Sequence, residues 1–392
     1  MSATVSESAS ATFGLESYSL LRGDWLDQIL KRLGKRGSAL AAVLGILITW
    51  LPLLVLSGLQ GLDSGYHVRM PFIYDFNVNV RFLIALPVLI AASLVIEPRL
   101  RGAVCHFRAS GLVTDENAPA FEEALKKTRR LRDSWIASVV IVLLAFAPAT
   151  FNKGMGLVSA GHSWHTLPNS DVLSWAGLWN SVISVPLFRL LLFRWIWLLL
   201  LWAIFLWRVS HIDLRCVPTH PDGACGLGFL GETQVYFGMV AFASSAAVSG
   251  ALGNELAYEG QTFEGIRVTF ILYVVAVIVV LLSPLLALSP IILRIKVKGL
   301  EEYGVLGSRY AHSFDDKWIR GNPGEPLLGS ADIQSLADLN NSFGIIRSIR
   351  LIPMNKDLLI GLGLPAIAPL IPLFAFSASG KGLIQRIMDF LV

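Results

Sequence analysis

Charged residues are scarce in this chain: Asp, Glu, Lys and Arg make up 15% of its 392 residues. A soluble domain usually carries about 25% charged residues, because water must solvate its surface. Hydrophobic residues account for 54% of the sequence, and the mean hydropathy is +0.62. The shortage of charge therefore argues against an ordinary soluble globular fold and favours a protein that is largely surrounded by lipid.

Cysteine is also rare, with three residues in the whole chain. Three cysteines do not form a disulfide framework, and their number is compatible with a reducing compartment. Common site signatures are missing as well: the sequence has no Walker A, HExxH or GxSxG motif. The glycine-rich stretch at 226–231 lacks the strand-turn-helix context of a dinucleotide site. We therefore predict no cofactor, metal site or catalytic residue, and an enzyme is the less favoured class.

What the sequence has instead is a set of long apolar stretches. They lie at 38–59, 77–97, 134–151, 186–207, 234–253, 268–293 and 357–377. A helix of about 20 apolar residues spans the hydrocarbon core and satisfies its own backbone hydrogen bonds there. The sequence therefore predicts an all-α membrane protein with about seven transmembrane helices, together with short amphipathic and cytoplasmic helices. Proline predicts a bend in the sixth span (Pro284, Pro290) and a broken seventh segment (Pro365, Pro369, Pro372), which either crosses fully or re-enters.

The density of lysine and arginine alternates between the connecting segments. Segments 1–37, 98–133, 208–233 and 294–356 hold five, eight, two and nine of these residues. Segments 60–76 and 152–185 hold one each, Arg69 and Lys153, and segment 254–266 holds none. Cytoplasmic loops of membrane proteins carry the excess of positive charge. The N-terminus and the large loops are therefore predicted to be cytoplasmic, and the C-terminus periplasmic if the last span crosses fully.

The chain is predicted to divide into three parts. Residues 1–37 combine a Ser/Ala/Thr-rich disordered tail with an interfacial amphipathic helix at 17–36. Residues 38–377 form the transmembrane helical bundle, with cytoplasmic helical insertions at 98–133 and 294–356. Helices are predicted within these insertions at 118–133, with Asn117 as a possible cap, and at 331–349. Residues 378–392 form a short amphipathic tail.

Three stretches of the sequence are distinctive. They are Tyr74-Asp75-Phe76 with the run Arg81 to Pro87, the His220-Pro221-Asp222 turn with the run Gly226 to Leu230, and the run Gly329 to Leu339. Together they resemble a family of uncharacterised bacterial polytopic membrane proteins of about this length, over most of the chain. The resemblance implies the bacterial inner membrane and no mechanism, because the function of that family is unknown. It also implies glycine in relatives where this chain has Cys225.

Arginines inside the apolar stretches are the strongest functional signal. Thirteen residues, rising about 20 Å, separate Arg194 from the cytoplasmic end of its span, which places it at membrane depth. Arg81 is placed similarly in the second span, and Arg189 lies nearer the outer surface. Intramembrane charge is costly and is usually paired or functional. We predict an anionic-ligand or lipid-headgroup site in the outer leaflet, with Asp75 and Glu255 as partner candidates; the alternative is that the arginines snorkel to lipid headgroups.

The loop at 211–225 contains six potential metal ligands, but their spacing matches no standard zinc pattern. The favoured interpretation is a rigid turn in which Thr219 or Asp222 caps the fifth span. A cytoplasmic small-ligand site that uses His220 and Asp222 is the alternative. In the outer segment 152–185, a weak metal site at His162 and His165 is likewise less favoured than an ordinary interfacial aromatic belt.

These observations favour a transport or channel-type protein of the bacterial inner membrane, with an unknown substrate. The first alternative is a non-transporting scaffold or signalling subunit that binds a cytoplasmic protein partner, and the second is a lipid-modifying membrane enzyme. We expect membrane lipids and a second copy of the chain as partners. We expect no nucleic-acid partner, because the net charge of +4 is explained by the loop bias.

Topology reporters test the orientation. Reporters at Ser110, Asp222 and Ser330 should read cytoplasmic, and reporters at Asp63, Ser163 and Gly260 should read periplasmic, because the loop charges alternate. A periplasmic signal at Ser330 would overturn the seven-span topology.

Overall fold

The computed structural model describes residues 37–64, 68–147, 163–168, 170, 172–321, 324, 326 and 330–376. Three predicted features lie outside these residues: the disordered tail, the amphipathic helix at 17–36 and the tail at 378–392. Within the described part the chain is helical, and the β-type pairing there consists of two isolated bridges. The all-α fold class is confirmed.

Ten helices make up the described structure. They are α1 Gly37–Leu59, α2 Phe76–Ala109, α3 Ala118–Arg132, α4 Trp135–Ala145, α5 Trp175–Val209, α6 Phe229–Tyr258, α7 Phe263–Leu286, α8 Ser289–Phe314, α9 Ala331–Ser348 and α10 Lys356–Phe374. Six of them, α1, α2, α5, α6, α7 and α10, are long and apolar enough to cross a membrane. The eleven-residue α4 covers the start of the predicted third span, and the residues of that span from 148 onward lie outside the described part.

Two helices end differently from the sequence prediction, and proline explains both. The sixth span was expected at 268–293, but α7 ends at Leu286, two residues after Pro284, and α8 begins at Ser289 with Pro290 in its first turn. Proline suits a first turn because the amide it lacks would be unpaired there. In α10 the α-helix ends at Ile367, and 3-10 turns continue over Ala368–Phe376.

The insertion helices match their predicted ranges closely, but the predicted cap of α3 is wrong in detail. Asn117 precedes α3 and makes no side-chain capping bond. Its amide instead donates to the carbonyl oxygen of Asp213 at 2.8 Å. Asn117 therefore ties the start of α3 to the loop that follows α5.

The spanning helices form an inner and an outer group. In α6, 61% of the most apolar stretch is buried, whereas the corresponding value is 17% in α1 and 22% in α7. Helix α6 packs against α2, α7 and α10, while α1 and α5 pack against α2. The inner helices α2, α5 and α6 therefore place their side chains inside the bundle, and α1 and α7 expose apolar faces that suit lipid.

Close packing of α6 depends on small residues. A Cβ atom at Gly250 would lie 2.7 Å from the carbonyl oxygen of Phe76, and one at Gly238 would lie 2.5 Å from that of Gly361. Such small residues let helix backbones approach one another in membranes. Helix α6 is thus held against α2 at one end of the bundle and against α10 towards the other.

Substitution at Gly250 tests this packing. Gly250→Ala should destabilise the protein by roughly 1–3 kcal/mol, because the new methyl group meets backbone rather than a flexible side chain. Gly102→Ala in α2 is the matched control, since nothing lies within 4 Å of the Cβ position there. Thermal unfolding in detergent measures both. Equal melting temperatures for the two variants would contradict the close packing of α6 on α2.

Candidate functional site

Asp75 is a buried carboxylate at the start of α2, at the predicted outer end of the bundle. Its side chain is 1% exposed, and one oxygen accepts from the backbone N–H of Val78 at 3.0 Å, which caps the helix. The same oxygen accepts from the Asn254 amide of α6 at 2.8 Å. The other oxygen accepts from the Trp164 indole N–H at 2.9 Å. Three donors from three parts of the chain therefore converge on this carboxylate.

The loop that carries Trp164 is fixed by local contacts. The N–H of Trp164 donates to the carbonyl of Met70 at 3.1 Å, and the Ser174 hydroxyl donates to the carbonyl of Trp164 at 2.6 Å. The indole ring packs edge-on against Phe72, with centroids 5.2 Å apart. At Gly177 a Cβ atom would overlap the carbonyl of His165, so only glycine allows α5 to approach the loop this closely.

Arg81 lies on α2 shortly after Asp75 and is 7% exposed. One terminal nitrogen donates to the Asn77 amide oxygen at 2.6 Å, and the guanidinium carbon lies 5.6 Å from the centre of the Phe188 ring. The Nε–H of Arg81 is buried and has no hydrogen-bond partner among the described residues. The charges of Asp75 and Arg189 are near enough to act on Arg81.

His165 and Asn180 lie next to these groups. The His165 ring contacts the Ser163 hydroxyl at 3.2 Å through Nδ1 and the Asn180 amide at 3.3 Å through Nε2. Burial lowers the pKa of His165, while Asp75 raises it and Arg81 lowers it further, so the imidazole is neutral at neutral pH. Asn180 is buried, and its amide oxygen has no partner among the described residues.

Two of the inner helices, α2 and α5, widen into a π-turn at this end of the bundle. In α2 the π-turn covers Arg81–Ala85, and in α5 it covers Asn180–Ser184. Each π-turn begins at a residue with a buried polar atom that has no hydrogen-bond partner in the described part of the chain. Single π-turns inside α-helices occur frequently at functional sites. We define the outer polar cluster as Asp75, Asn77, Arg81, Trp164, His165, Asn180 and Asn254.

The predicted site residues do not all belong to the outer polar cluster. Arg189 donates to the carbonyls of Ala145 and Ala147 at 3.4 and 3.2 Å, as an arginine does at a helix C-terminus. Arg194 is buried, with one terminal nitrogen 3.3 Å from the Ser93 hydroxyl and its guanidinium 5.1 Å from the Trp195 ring. It lies five residues beyond Arg189, a rise of about 8 Å, and its contacts with Ser93 and Trp195 differ from the contacts of Arg81 with Asn77 and Phe188.

Glu255, the second predicted partner, makes no described contact with an arginine. The preceding residue, Asn254, reaches Asp75 instead and also accepts from the backbone N–H of Phe76 at 3.0 Å. Sequence reasoning left out Asn77, Asn180 and Asn254. In the sequence, these residues stand out as amide side chains inside or beside an apolar stretch.

At the predicted cytoplasmic end, Asp222 organises the loop between α5 and α6. Its carboxylate accepts from the N–H groups of Ala224, Gly226 and Gly228 at 2.8, 3.1 and 2.8 Å, and lies 2.9 Å from His220 Nδ1. Burial acts to raise the pKa of Asp222, but the three backbone hydrogen bonds and His220 outweigh it and lower the pKa below its ordinary value. The backbone donors of this loop are therefore occupied by its own carboxylate.

The two loop cysteines are poor candidates for thiolate chemistry. Burial raises the pKa of Cys216 to about 12 and that of Cys225 to about 11, so both thiols stay protonated at neutral pH. Cys225 also has a positive φ of 61°. Glycine adopts this conformation without strain, which gives a physical reason for expecting glycine at this position in relatives. That expectation stays a prediction.

No family model matches the chain, and neither a curated protein nor a solved structure matches it.

Replacing Asp75 tests whether the cluster holds the outer end together. Asp75→Asn should lower the free energy of unfolding by roughly 3 kcal/mol, because a buried arginine loses its nearby carboxylate and an amide group faces the Trp164 donor. Glu264→Gln is the control, because that carboxylate lies at the same end with an exposed fraction of 74%. Thermal unfolding in detergent is the measurement. Unfolding of the Asn variant at the control temperature would show that the carboxylate charge is dispensable.

Proposed function

We propose that this protein is a membrane protein of transport type that binds a small anion at the outer polar cluster. The observation that carries the proposal is the buried Nε–H of Arg81, which has no acceptor among the described residues. The six long apolar helices support a multi-pass membrane protein. The loop charge bias supports the bacterial cytoplasmic membrane, with the N-terminus in the cytoplasm.

Asp75 does not supply the acceptor that Arg81 lacks. Its two oxygens already accept from Val78, Asn254 and Trp164, and Arg81 donates instead to the neutral amide of Asn77. The carboxylate therefore balances the guanidinium charge across space and leaves the Nε–H of Arg81 unused. A buried donor without an acceptor costs about 1–3 kcal/mol, and an anion would remove that cost.

The chemistry of the cluster favours an oxyanion. A guanidinium presents parallel N–H groups to carboxylate or phosphate oxygens, and such charge-assisted bonds are about twice as strong as neutral ones. Arg189 adds a second positive charge nearby. Free anions and lipid headgroups share this chemistry, so the experiment must separate the two sources.

The π-turns support a transport role for the site. They lie where α2 and α5 present Arg81 and Asn180, within ten residues of the outer ends of these helices. A carrier for a polar solute needs irregular backbone and polar side chains at membrane depth, covered by protein. The outer polar cluster combines both.

One observation favours the alternative role as a scaffold or signalling subunit. Helix α8 has 26 residues, a length of about 39 Å, and pairs with α9 beyond the spanning segments. Val305, Leu306 and Ile333 are exposed on this pair. A cytoplasmic protein partner would cover such apolar side chains, and this role does not require an anion at the other end.

Anion-dependent unfolding tests the proposal. We expect sodium phosphate, sulfate, nitrate or acetate, exchanged at constant ionic strength in detergent, to raise the melting temperature of the wild type by several degrees. Binding at one hundred times the dissociation constant contributes about 2.7 kcal/mol. Arg81→Lys retains the charge but removes the Nε–H, and should lose most of this shift. Arg309→Gln, an exposed arginine on α8, should retain it.

The remaining outcomes separate the alternatives. Stabilisation by phosphatidylglycerol in the absence of free oxyanions would identify a lipid headgroup as the ligand. Flux of the stabilising anion into proteoliposomes, reduced in Arg81→Lys, would support transport, and binding without flux would refute it. If no anion or lipid distinguishes the wild type from Arg81→Lys, the site does not bind an anion.

A further inference from the structure

A cavity lies at the opposite end of the bundle from the outer polar cluster. Its volume is about 790 Å³. One wall is formed by the end of α5 and the loop after it, and the other by the junction between α7 and α8. We call it the interfacial cavity, because both walls begin where spanning helices end, α5 at Val209 and α7 at Leu286.

The lining of the interfacial cavity changes from apolar to charged along α8. Trp207, Leu286 and Ile291 line it near the ends of the spans. Arg294 lines it three residues beyond Ile291 on α8, a rise of about 4.5 Å, and Lys298 lies four residues further, a rise of about 6 Å. An amphiphile has the same order of chemistry, with an apolar chain followed by a charged headgroup.

The charges of the lining are balanced, and two of them are unpaired. Lys298 and Glu302 form an ion pair at 3.7 Å on α8. Arg294 on the same wall and Asp213 on the opposite wall make no ion pair within the described residues. The cavity therefore presents one cation and one carboxylate on facing walls, close to the ends of the spanning helices α5 and α7.

We propose that the interfacial cavity binds a zwitterionic phospholipid with a primary ammonium headgroup, of the phosphatidylethanolamine class. The phosphate would face Arg294, and the ammonium would donate to the Asp213 carboxylate. The acyl chains would lie along Trp207 and Leu286. An acidic phospholipid fits less well because it offers no cation to Asp213, and a choline headgroup has no N–H to donate.

The test uses purified full-length protein in neutral detergent. Phosphatidylethanolamine, phosphatidylcholine and phosphatidylglycerol with identical acyl chains are added in turn, and native mass spectrometry counts the bound lipids. We expect one phosphatidylethanolamine to bind at least fivefold more tightly than either of the others. Thermal unfolding with and without each lipid provides the second measurement.

Two variants assign the headgroup contacts. Arg294→Gln should weaken phosphatidylethanolamine and phosphatidylglycerol alike, because it removes the phosphate partner. Asp213→Asn should remove the preference for phosphatidylethanolamine over phosphatidylglycerol. The substitution removes the carboxylate that accepts a hydrogen bond from the ammonium of phosphatidylethanolamine and repels the anionic phosphatidylglycerol. Arg309→Gln and Asp338→Asn, exposed residues on α8 and α9, are the matched controls and should bind as the wild type does.

Two results would overturn the proposal. One is equal binding of the three lipids by the wild type. The other is a fall in the melting temperature of both Arg294→Gln and Asp213→Asn in detergent without lipid, since that would show a direct ion pair across the cavity instead of a lipid between the two residues.

Discussion

A carboxylate inside a helical bundle is stable only where hydrogen-bond donors converge on it, since no water is present to solvate the charge. Asp75 sets this requirement at the outer end, and its donors come from α2, α6 and the loop at 163–174. Gly250 allows α6 to reach it, and Gly177 allows α5 to approach the loop. The outer end therefore assembles as one unit, in which Arg81 is held with an unused donor.

At the other end of the bundle, a carboxylate is stabilised by backbone N–H groups instead of side-chain donors. Around Asp222 three peptide N–H groups converge, and Gly223, Cys225 and Gly226 adopt positive φ angles that aim them. The backbone donors of this loop are occupied by the carboxylate, so the conformation of the loop has a structural explanation that needs no ligand. At the outer end it is the arginine that lacks an acceptor, and that difference separates a candidate site from a well-packed turn.

The sequence predicts the helices well because their signals are local. Length and apolarity place the spans, and α9 ends within one residue of its expected range. The contacts of the site are not local: Asn254 and Trp164 lie 179 and 89 residues from Asp75. Successive side chains on a helix point about 100° apart, so the predicted Glu255 and the neighbouring Asn254, which contacts Asp75, lie on different faces of α6. Where prolines are present, the observed ends of the spans differ from the predicted ends by several residues, because a proline can either end one helix or start the next.

The 3-10 turns that end α10 change how far this segment reaches. A 3-10 helix rises about 2.0 Å per residue, against about 1.5 Å for an α-helix. The nine residues Ala368–Phe376 therefore extend about 18 Å instead of about 13.5 Å. Phe374 meets Phe263 at the first turn of α7, with ring centroids 4.8 Å apart. The prolines therefore lengthen this segment. As a result, the shorter apolar segment matches the hydrophobic thickness that its neighbour α7 covers with 24 residues of regular helix.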